Sequence, residues 1–297
     1  MNFKLDEWVK HPKYGDGQIT ADLGDKCQVQ FVTAGERLML KTSISLSGQP
    51  PYPGFSFAKR RTSGTPRFRV VRVVREPAPP FEHLVKRFLD VFEEGFESEN
   101  FDKQERQYKL EAADLLRTTL NERELKALLD AKDFPEVSAR ASRVVHRTNL
   151  IFRNEMIQFN EALRNTVFQQ AFATGLAELL YGTQPEEERF TCFADILLGG
   201  SVAKWTIATY FQFLQSGGEL MYMKPAVVKK MADSLNIALN YSPAPNWLTY
   251  CKLQELAARV RDQLVARGLK PRSGIDTQGF IWASIKIDEG KYGSGEW

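Results

Sequence analysis

Between Met221 and Trp282 the chain sets large aromatic residues beside polar ones at a density that packing alone does not require. Lys224-Pro225 is followed by Tyr241, then by Asn246-Trp247-Leu248-Thr249-Tyr250, then by Pro271-Arg272-Ser273-Gly274-Ile275-Asp276-Thr277-Gln278-Gly279-Phe280-Ile281-Trp282. Rings can wall a pocket, and a few polar side chains can read the edge of a flat polar group held inside it. The same rings can equally be the core of a helical domain, since aromatic positions are mostly buried. Metal chemistry finds no support in the spacing. Cys27, Cys192 and Cys251 are far apart, as are His11, His83 and His146, and neither CxxC nor HExxH occurs. That argues against a disulfide frame, a zinc protease and a zinc deaminase. A metal-dependent nuclease wants clustered carboxylates with a lysine. No PD-(D/E)xK arrangement is present, so a nuclease ranks last. The expected metal and cofactor complement is none.

The chain has 297 residues, 43% hydrophobic and 26% charged, which fits an ordinary globular protein of one large domain or two unequal ones. No apolar run approaches the roughly 20 residues of a membrane span. Met1 to Glu7 lack the apolar centre of a signal peptide, so a cytoplasmic location without membrane association is expected. The net charge of +3 conceals a skew: residues 1–80 carry 13 Lys/Arg against 7 Asp/Glu, a balance of +6, and the remainder carries −3. Such a skew suits a phosphate-backbone partner better than an acidic protein.

The elements that must position these residues divide in two, giving an α+β class. Residues 1–48 read as a small SH3-like or Tudor-like β-barrel. The turn Tyr14-Gly15-Asp16-Gly17 and the turn Gly24-Asp25 separate short strands, and Cys27 to Val32 alternates with period two. Residues 49–80 read as a basic, proline-bounded arm. Lys59, Arg60, Arg61, Arg67, Arg69, Arg72 and Arg75 are interleaved there with Phe55, Phe57 and Phe68. Arginines meet phosphates and rings meet bases in single-stranded or distorted nucleic acid. A solvated basic strand between domains is the plainer alternative.

Residues 81–297 read as an all-helical domain. Helices are expected from Phe81 to Phe92, from Tyr108 to Leu120, and from Asn121, capped with Glu124, to Asp130. Pro135 to Arg164 forms one long helix or two, and Phe168 to Tyr181 another. Pro185 with Glu186 to Glu188 opens a helix to Leu198. Lys204 to Phe213 reads as one aromatic helix, opened by Lys204 and Trp205 after a Gly-Gly-Ser loop where a side chain can face a cleft. Lys224-Pro225 starts a helix to Leu235. Asn246 caps one that stops at Gly268, and Asp276 to Ile285 is the last helix or strand.

Two resemblances emerge from motifs. Val9-Lys10-His11-Pro12-Lys13-Tyr14-Gly15-Asp16-Gly17, a strand, then Val29-Gln30-Phe31 resembles the Tudor-like module in the C-terminal tail of superfamily 1 DNA helicases. It covers about forty residues, and it implies docking on nucleic acid or on a protein partner of nucleic-acid machinery. From Asn149 to Trp282 the chain resembles a prokaryotic module carrying six elements in order. They are Asn149 to Glu155, Leu179 to Gly182, Lys204 to Thr209, Lys224-Pro225, Asn246 to Tyr250 and Pro271 to Trp282. That module is similar to bacterial antiviral DNA glycosylases that remove hypermodified bases, such as glucosylated hydroxymethylcytosine, from phage DNA.

A glycosylase flips its nucleotide out, stacks the base and stabilises an oxocarbenium-like sugar while water attacks. What the resemblance implies for this chain is a carboxylate beside the sugar. Asp276, after a glycine at the start of an apolar segment, is the first choice, and Glu155 is the second. Gln278 and Asn154 would read the base edge; Trp205, Tyr250 and Trp282 would stack. Lys204 and Lys224 would hold phosphate, or one would be an amine nucleophile. The rival class is a non-enzymatic DNA- or RNA-polymerase-binding protein. It predicts Asp276 and Glu155 buried in ion pairs with no cavity beside them.

Overall fold

The structure, a computed structural model, describes residues 3–32, 35–48 and 78–287, in two compact units divided after Pro77. The basic arm with Lys59, Arg60, Arg61, Arg67, Arg69 and Arg72 lies outside the described residues.

The first unit is an antiparallel sheet of β1 (Trp8–His11), β2 (Gly15–Leu23), β3 (Lys26–Phe31), β4 (Gly35–Leu40) and β5 (Ser45–Leu46). Its order is β4-β3-β2-β1-β5. Period-two alternation in β3 turns Cys27, Val29 and Phe31 inward, where they meet Phe3, Val9, Ile19 and Ile44. The His-Pro-Lys-Tyr-Gly motif proves to be a self-capping turn. The His11 Nδ1 accepts the backbone N–H groups of Lys13 at 3.0 Å and Tyr14 at 3.3 Å. The imidazole stacks on Tyr14 at 4.7 Å, and the Arg37 guanidinium covers the same ring at 4.8 Å.

The second unit is helical throughout its described residues. It runs α1 (Phe81–Val91), α2 (Glu99–Phe101), a π-helical turn over Asp102–Arg106, α3 (Gln107–Thr119), α4 (Glu122–Asp130) and α5 (Phe134–Val145). There follow α6 (Arg153–Ala162), α7 (Thr166–Tyr181), α8 (Glu186–Gly199), α9 (Trp205–Ala208) and α10 (Tyr210–Gln215). The last are α11 (Pro225–Ser234), α12 (Trp247–Val265) and α13 (Gly274–Lys286). None of the described helices is long and apolar enough to cross a membrane. Start signals act where the sequence places them: Asn121 Oδ1 accepts the Glu124 N–H at 3.0 Å, and Asn246 Oδ1 accepts that of Thr249 at 3.0 Å.

Of the two possibilities for the segment from Pro135 onward, the structure has two helices, α5 and α6, separated by the loop 146–152. One expectation changes: the aromatic segment after Lys204 is not one helix but is broken at Thr209. There the Thr209 hydroxyl donates to the Trp205 carbonyl at 2.7 Å and accepts the Met223 N–H at 3.0 Å, tying the break to the strand-like lead into α11.

α13 is the hub. Phe280 packs on Phe88 of α1 at 5.2 Å, and Phe88 also meets Phe92, Phe96 and Phe101. The other side of α13 faces α11 and α12. A helix covered on several sides reads as apolar almost all round, and the only polar residues it can hold are paired or special.

Candidate functional site

Burial sorts the expected site residues into three groups. The first surrounds Asp276. Its carboxylate is fully buried, whereas the sequence places it at the edge of a cleft. Oδ2 accepts the Arg272 backbone N–H at 2.7 Å and its Nε at 3.1 Å; Arg106 Nε stands 3.0 Å from Oδ1. Arg272 also pairs with Asp102. The carboxylate therefore closes the first turn of α13 backward onto the N–H of Arg272, the residue before the Ser273 N-cap. It also ties that turn to the π-helical turn before α3. Both oxygens of the expected first catalytic acid are thus turned to arginines, and none of its surface meets solvent. Beside it lies a second buried pair, Lys109 to Glu105 at 2.8 Å. Burial pushes the Lys109 ammonium below its ordinary value, against the opposing pull of Glu105 and Asp276.

The second group is an aromatic stack built on Phe190 of α8. Tyr250 lies parallel to it at 4.2 Å, Trp247 at 6.1 Å and Trp205 at 6.2 Å. The Trp205 indole donates to the Ser242 carbonyl at 2.7 Å, and the Tyr250 hydroxyl donates to Glu186 at 3.0 Å. Burial, then the Glu186 charge, raises the Tyr250 phenol well above its usual range. Trp205 and Tyr250 were expected to stack a base, but both faces of this arrangement are taken up by packing, at 2% and 1% exposure.

The third group is where chemistry remains open. Lys224 precedes Pro225, which holds it in an extended backbone conformation at the head of α11. Its side chain is buried, and its Nζ lies 4.4 Å from the Phe152 ring centroid and 4.1 Å from that of Trp282. Two rings thus bracket one ammonium. Trp282 is half-buried on α13, and Lys286, one turn on, lies 5.6 Å from its centroid. Phe152 is 47% exposed and caps α6. Glu155, one turn further, shares the Phe152 side of that helix and sits where the helix dipole favours an anion. The Thr206 hydroxyl donates to Glu155 Oε2 at 2.7 Å, orienting the carboxylate.

The loop 146–152 that leads into Phe152, and the end of α5 before it, are held by phenols. Tyr222 donates to the Leu150 carbonyl at 2.5 Å, and Tyr210 donates to the Val144 carbonyl at 2.9 Å. Burial foremost, and then the neighbouring Glu155 charge, raises the Tyr222 hydroxyl far above its ordinary value. Both phenols therefore stay neutral donors at any physiological pH.

The structure thus brings Lys224 and Trp282 together with Phe152, and places Glu155, held by Thr206, one turn from Phe152 at the start of α6. Phe152 stood in the sequence as an aromatic immediately before a helix start; Thr206 gave no signal. Gln278, one turn before Trp282 on α13, is buried, with Oε1 unpartnered among the described residues. Asn154 and Lys204 are exposed at the starts of α6 and α9. A cleft of about 1040 Å³ beside Glu187, Cys192 and Asp195, and one of about 400 Å³ beside Asn165, Phe168 and Gly199, include none of the expected residues in their walls. No group of metal-ligating side chains occurs among the described residues. Scans against protein-family models, curated proteins and solved structures find no match to this chain.

Proposed function

We propose that the helical unit is a metal-independent DNA N-glycosylase that excises a hypermodified base, such as glucosylated hydroxymethylcytosine, from phage DNA as antiviral defence. Glu155, not Asp276, is its catalytic carboxylate. The observation that carries this reading is the bracketing of Lys224 by Phe152 and Trp282, with the Glu155 carboxylate, oriented by Thr206, one turn from Phe152 on α6. An extruded base can take the exposed face of Phe152, where stacking is tolerant of base identity. The C1′–N bond breaks, and its electron pair leaves with the base. Glu155 steadies the cationic sugar and takes the proton of the water whose oxygen bonds to C1′. Lys224 supplies a fixed positive charge to the departing base or to a flanking phosphate. The basic balance of residues 1–80 supplies attraction for DNA, through phosphate contacts of the arm.

The test uses the full chain with unmodified and phage-modified duplex DNA, without added metal, followed by alkaline cleavage of abasic sites. Strand breaks confined to modified DNA, and reduced about 10²- to 10⁴-fold in Glu155→Gln, are the expected result. Intact strands with every substrate would overturn it.

A second reading has its own support. Asp276 is closed off by two arginines, and Trp205 and Tyr250 are fully packed, as expected for a non-enzymatic DNA- or RNA-polymerase-binding protein. DNA retained in gel shifts, with no abasic sites formed, would favour that reading.

A further inference from the structure

Phe152 is the one aromatic ring among the described residues that the structure leaves exposed. It closes the loop between α5 and α6. Residues 146–154 hold two arginines, Arg147 and Arg153, and no carboxylate. Both arginines are exposed, as are Asn149 and Asn154. Arginines to either side along the chain are already paired: Arg140 and Arg143 with Glu136, and Arg164 with Glu161. The guanidiniums of Arg147 and Arg153 have no partner among the described residues. Glu155, the next carboxylate along the chain, accepts the Thr206 hydroxyl instead.

An exposed arginine or a lone exposed ring is ordinary surface. Their combination on an anchored loop is not. Leu150 and Ile151 are buried, the Tyr222 hydroxyl donates to the Leu150 carbonyl at 2.5 Å, and the Tyr210 hydroxyl lies 2.9 Å from Thr148 Oγ1. The loop is thus fixed from beneath, and its outward groups are presented with little ordering left to do. From Arg147 to Arg153 the chain spans at most about 20 Å even when fully extended, at roughly 3.3–3.6 Å per residue. One strand of duplex DNA carries a charge every 3.4 Å or so, so the two guanidiniums fall within about six phosphates of one strand. The ring lies between them in sequence. Cations on the backbone and a π face for a base are the two parts of a grip on a nucleic-acid strand. An acidic peptide could meet the arginines but brings no flat base to the ring.

We propose that the loop between α5 and α6 is the surface on which the helical unit holds a DNA strand, with Arg147 and Arg153 on phosphates flanking the nucleotide stacked on Phe152. The proposal rests on the reading that DNA is the partner of Phe152. It does not need the chemistry assigned to Glu155. It also gives the helical unit phosphate contacts of its own, apart from those of the basic arm.

The experiment measures fluorescence anisotropy of labelled single-stranded and duplex oligonucleotides, unmodified in base, titrated with the full chain across a salt series. Arg147→Gln and Arg153→Gln should each weaken binding about five- to eightfold near 0.1 M salt, the counterion-release value for one phosphate. Each should also lower the slope of log affinity against log salt by about 0.7–0.9. Phe152→Ala should weaken binding and leave that slope unchanged, because a stacked base releases no counterion. Arg123→Gln and Arg259→Gln remove equally exposed, unpartnered arginines elsewhere on the helical unit and should change neither quantity. Both loop variants should unfold at the temperature of the natural chain, since neither guanidinium has a partner to lose. DNA held through Arg147 and Arg153 with no abasic sites formed would support this surface and sink the glycosylase reading. Base excision with natural affinity and slope in both loop variants would overturn the surface and leave that reading standing. Equal losses in the Arg123 and Arg259 variants, binding of poly-glutamate as tight as that of DNA, or no binding of either oligonucleotide would also overturn it.

Discussion

Two groups of rings in the helical unit use the same residue types and stand in opposite relation to solvent. Around Phe190, the rings of Trp205, Trp247 and Tyr250 lie on one another, and the buried polar atoms of Trp205 and Tyr250 are matched to a carbonyl and a carboxylate. Around Lys224, the rings of Phe152 and Trp282 close on a charge, and Phe152 keeps nearly half its surface in water. The first arrangement gains from area removed from solvent and from satisfied polar tips. The second holds an ammonium against two π faces and leaves one ring free to change partner. Aromatic density alone does not separate a pocket from a core. What separates them is how much ring surface still meets solvent: Trp205 and Tyr250 keep almost none, and Phe152 keeps 47%.

The largest effect that tests this division belongs to Asp276, which the structure buries completely. Asp276→Ala leaves Arg106 and Arg272 without their shared counter-charge inside the protein. Breaking a buried pair from one side costs about 3–5 kcal/mol. Chemical denaturation should show that loss whatever the substrate. A soluble, normally stable Asp276→Ala protein lacking only activity would return this acid to the catalytic role.

Next comes the stack. Tyr250→Phe keeps the ring on Phe190 and removes the hydroxyl given to Glu186, so it should cost about 0.5–1.5 kcal/mol in unfolding free energy. The same protein should excise bases at the natural rate. A drop in activity beyond the drop in folded fraction would mean that Tyr250 turns toward substrate after all.

On the other side of the comparison, Phe152→Ala should barely change unfolding, by under about 1 kcal/mol, since the ring is half in water and its cation–π contact is the main loss. Its effect should fall on modified DNA, with affinity lowered by one to two orders of magnitude for one lost base–ring stack. A gel-shift titration at fixed salt reads it. Unchanged affinity would leave the bracket without a substrate role.

Much of the frame was legible in the sequence because its signals are local. Asn121 with Glu124, and Asn246 with Thr249, announce helix starts within one turn, and Gly268 at φ +78° ends α12 where the pattern stops. Period two in Cys27 to Phe31 fixes the inward face of the sheet in the same way. The sorting of Asp276 and Glu155 was not legible, because it depends on partners far along the chain. Arg106 and Asp276 meet only after the π-helical turn before α3 has packed on α13, and Thr206 reaches Glu155 from another helix. A carboxylate after a glycine looks the same in one dimension whether it faces a cleft or two arginines. Trp205 and Tyr250 look like pocket walls in the sequence for a similar reason: Phe190, which they sit on, lies far along the chain in the helix opened by Pro185.

Tyr222 ties the two sides of the comparison to pH. Its hydroxyl donates to the Leu150 carbonyl and so holds the loop that leads into Phe152 and α6. Burial and the Glu155 charge raise it far above the value near 10 that a phenol has in the unfolded chain. Below about pH 10 both states keep the proton, and the stabilisation is complete. Above it the unfolded chain releases its proton first, so stability falls by about 1.4 kcal/mol per pH unit until the folded group titrates too. Tyr222→Phe should therefore cost about 1 kcal/mol at neutral pH for the lost hydrogen bond. That cost should shrink through pH 10 and vanish about one unit higher, where the natural protein has lost as much. Lys109, held below its ordinary value by burial, is common to both proteins and cancels in the difference. Urea unfolding of the pair from pH 7 to pH 11 reads the convergence. Parallel curves would mean that the phenol is open to water in the folded state, and the loop bearing Glu155 would then lack the rigid support that distinguishes the Lys224 bracket from an ordinary surface.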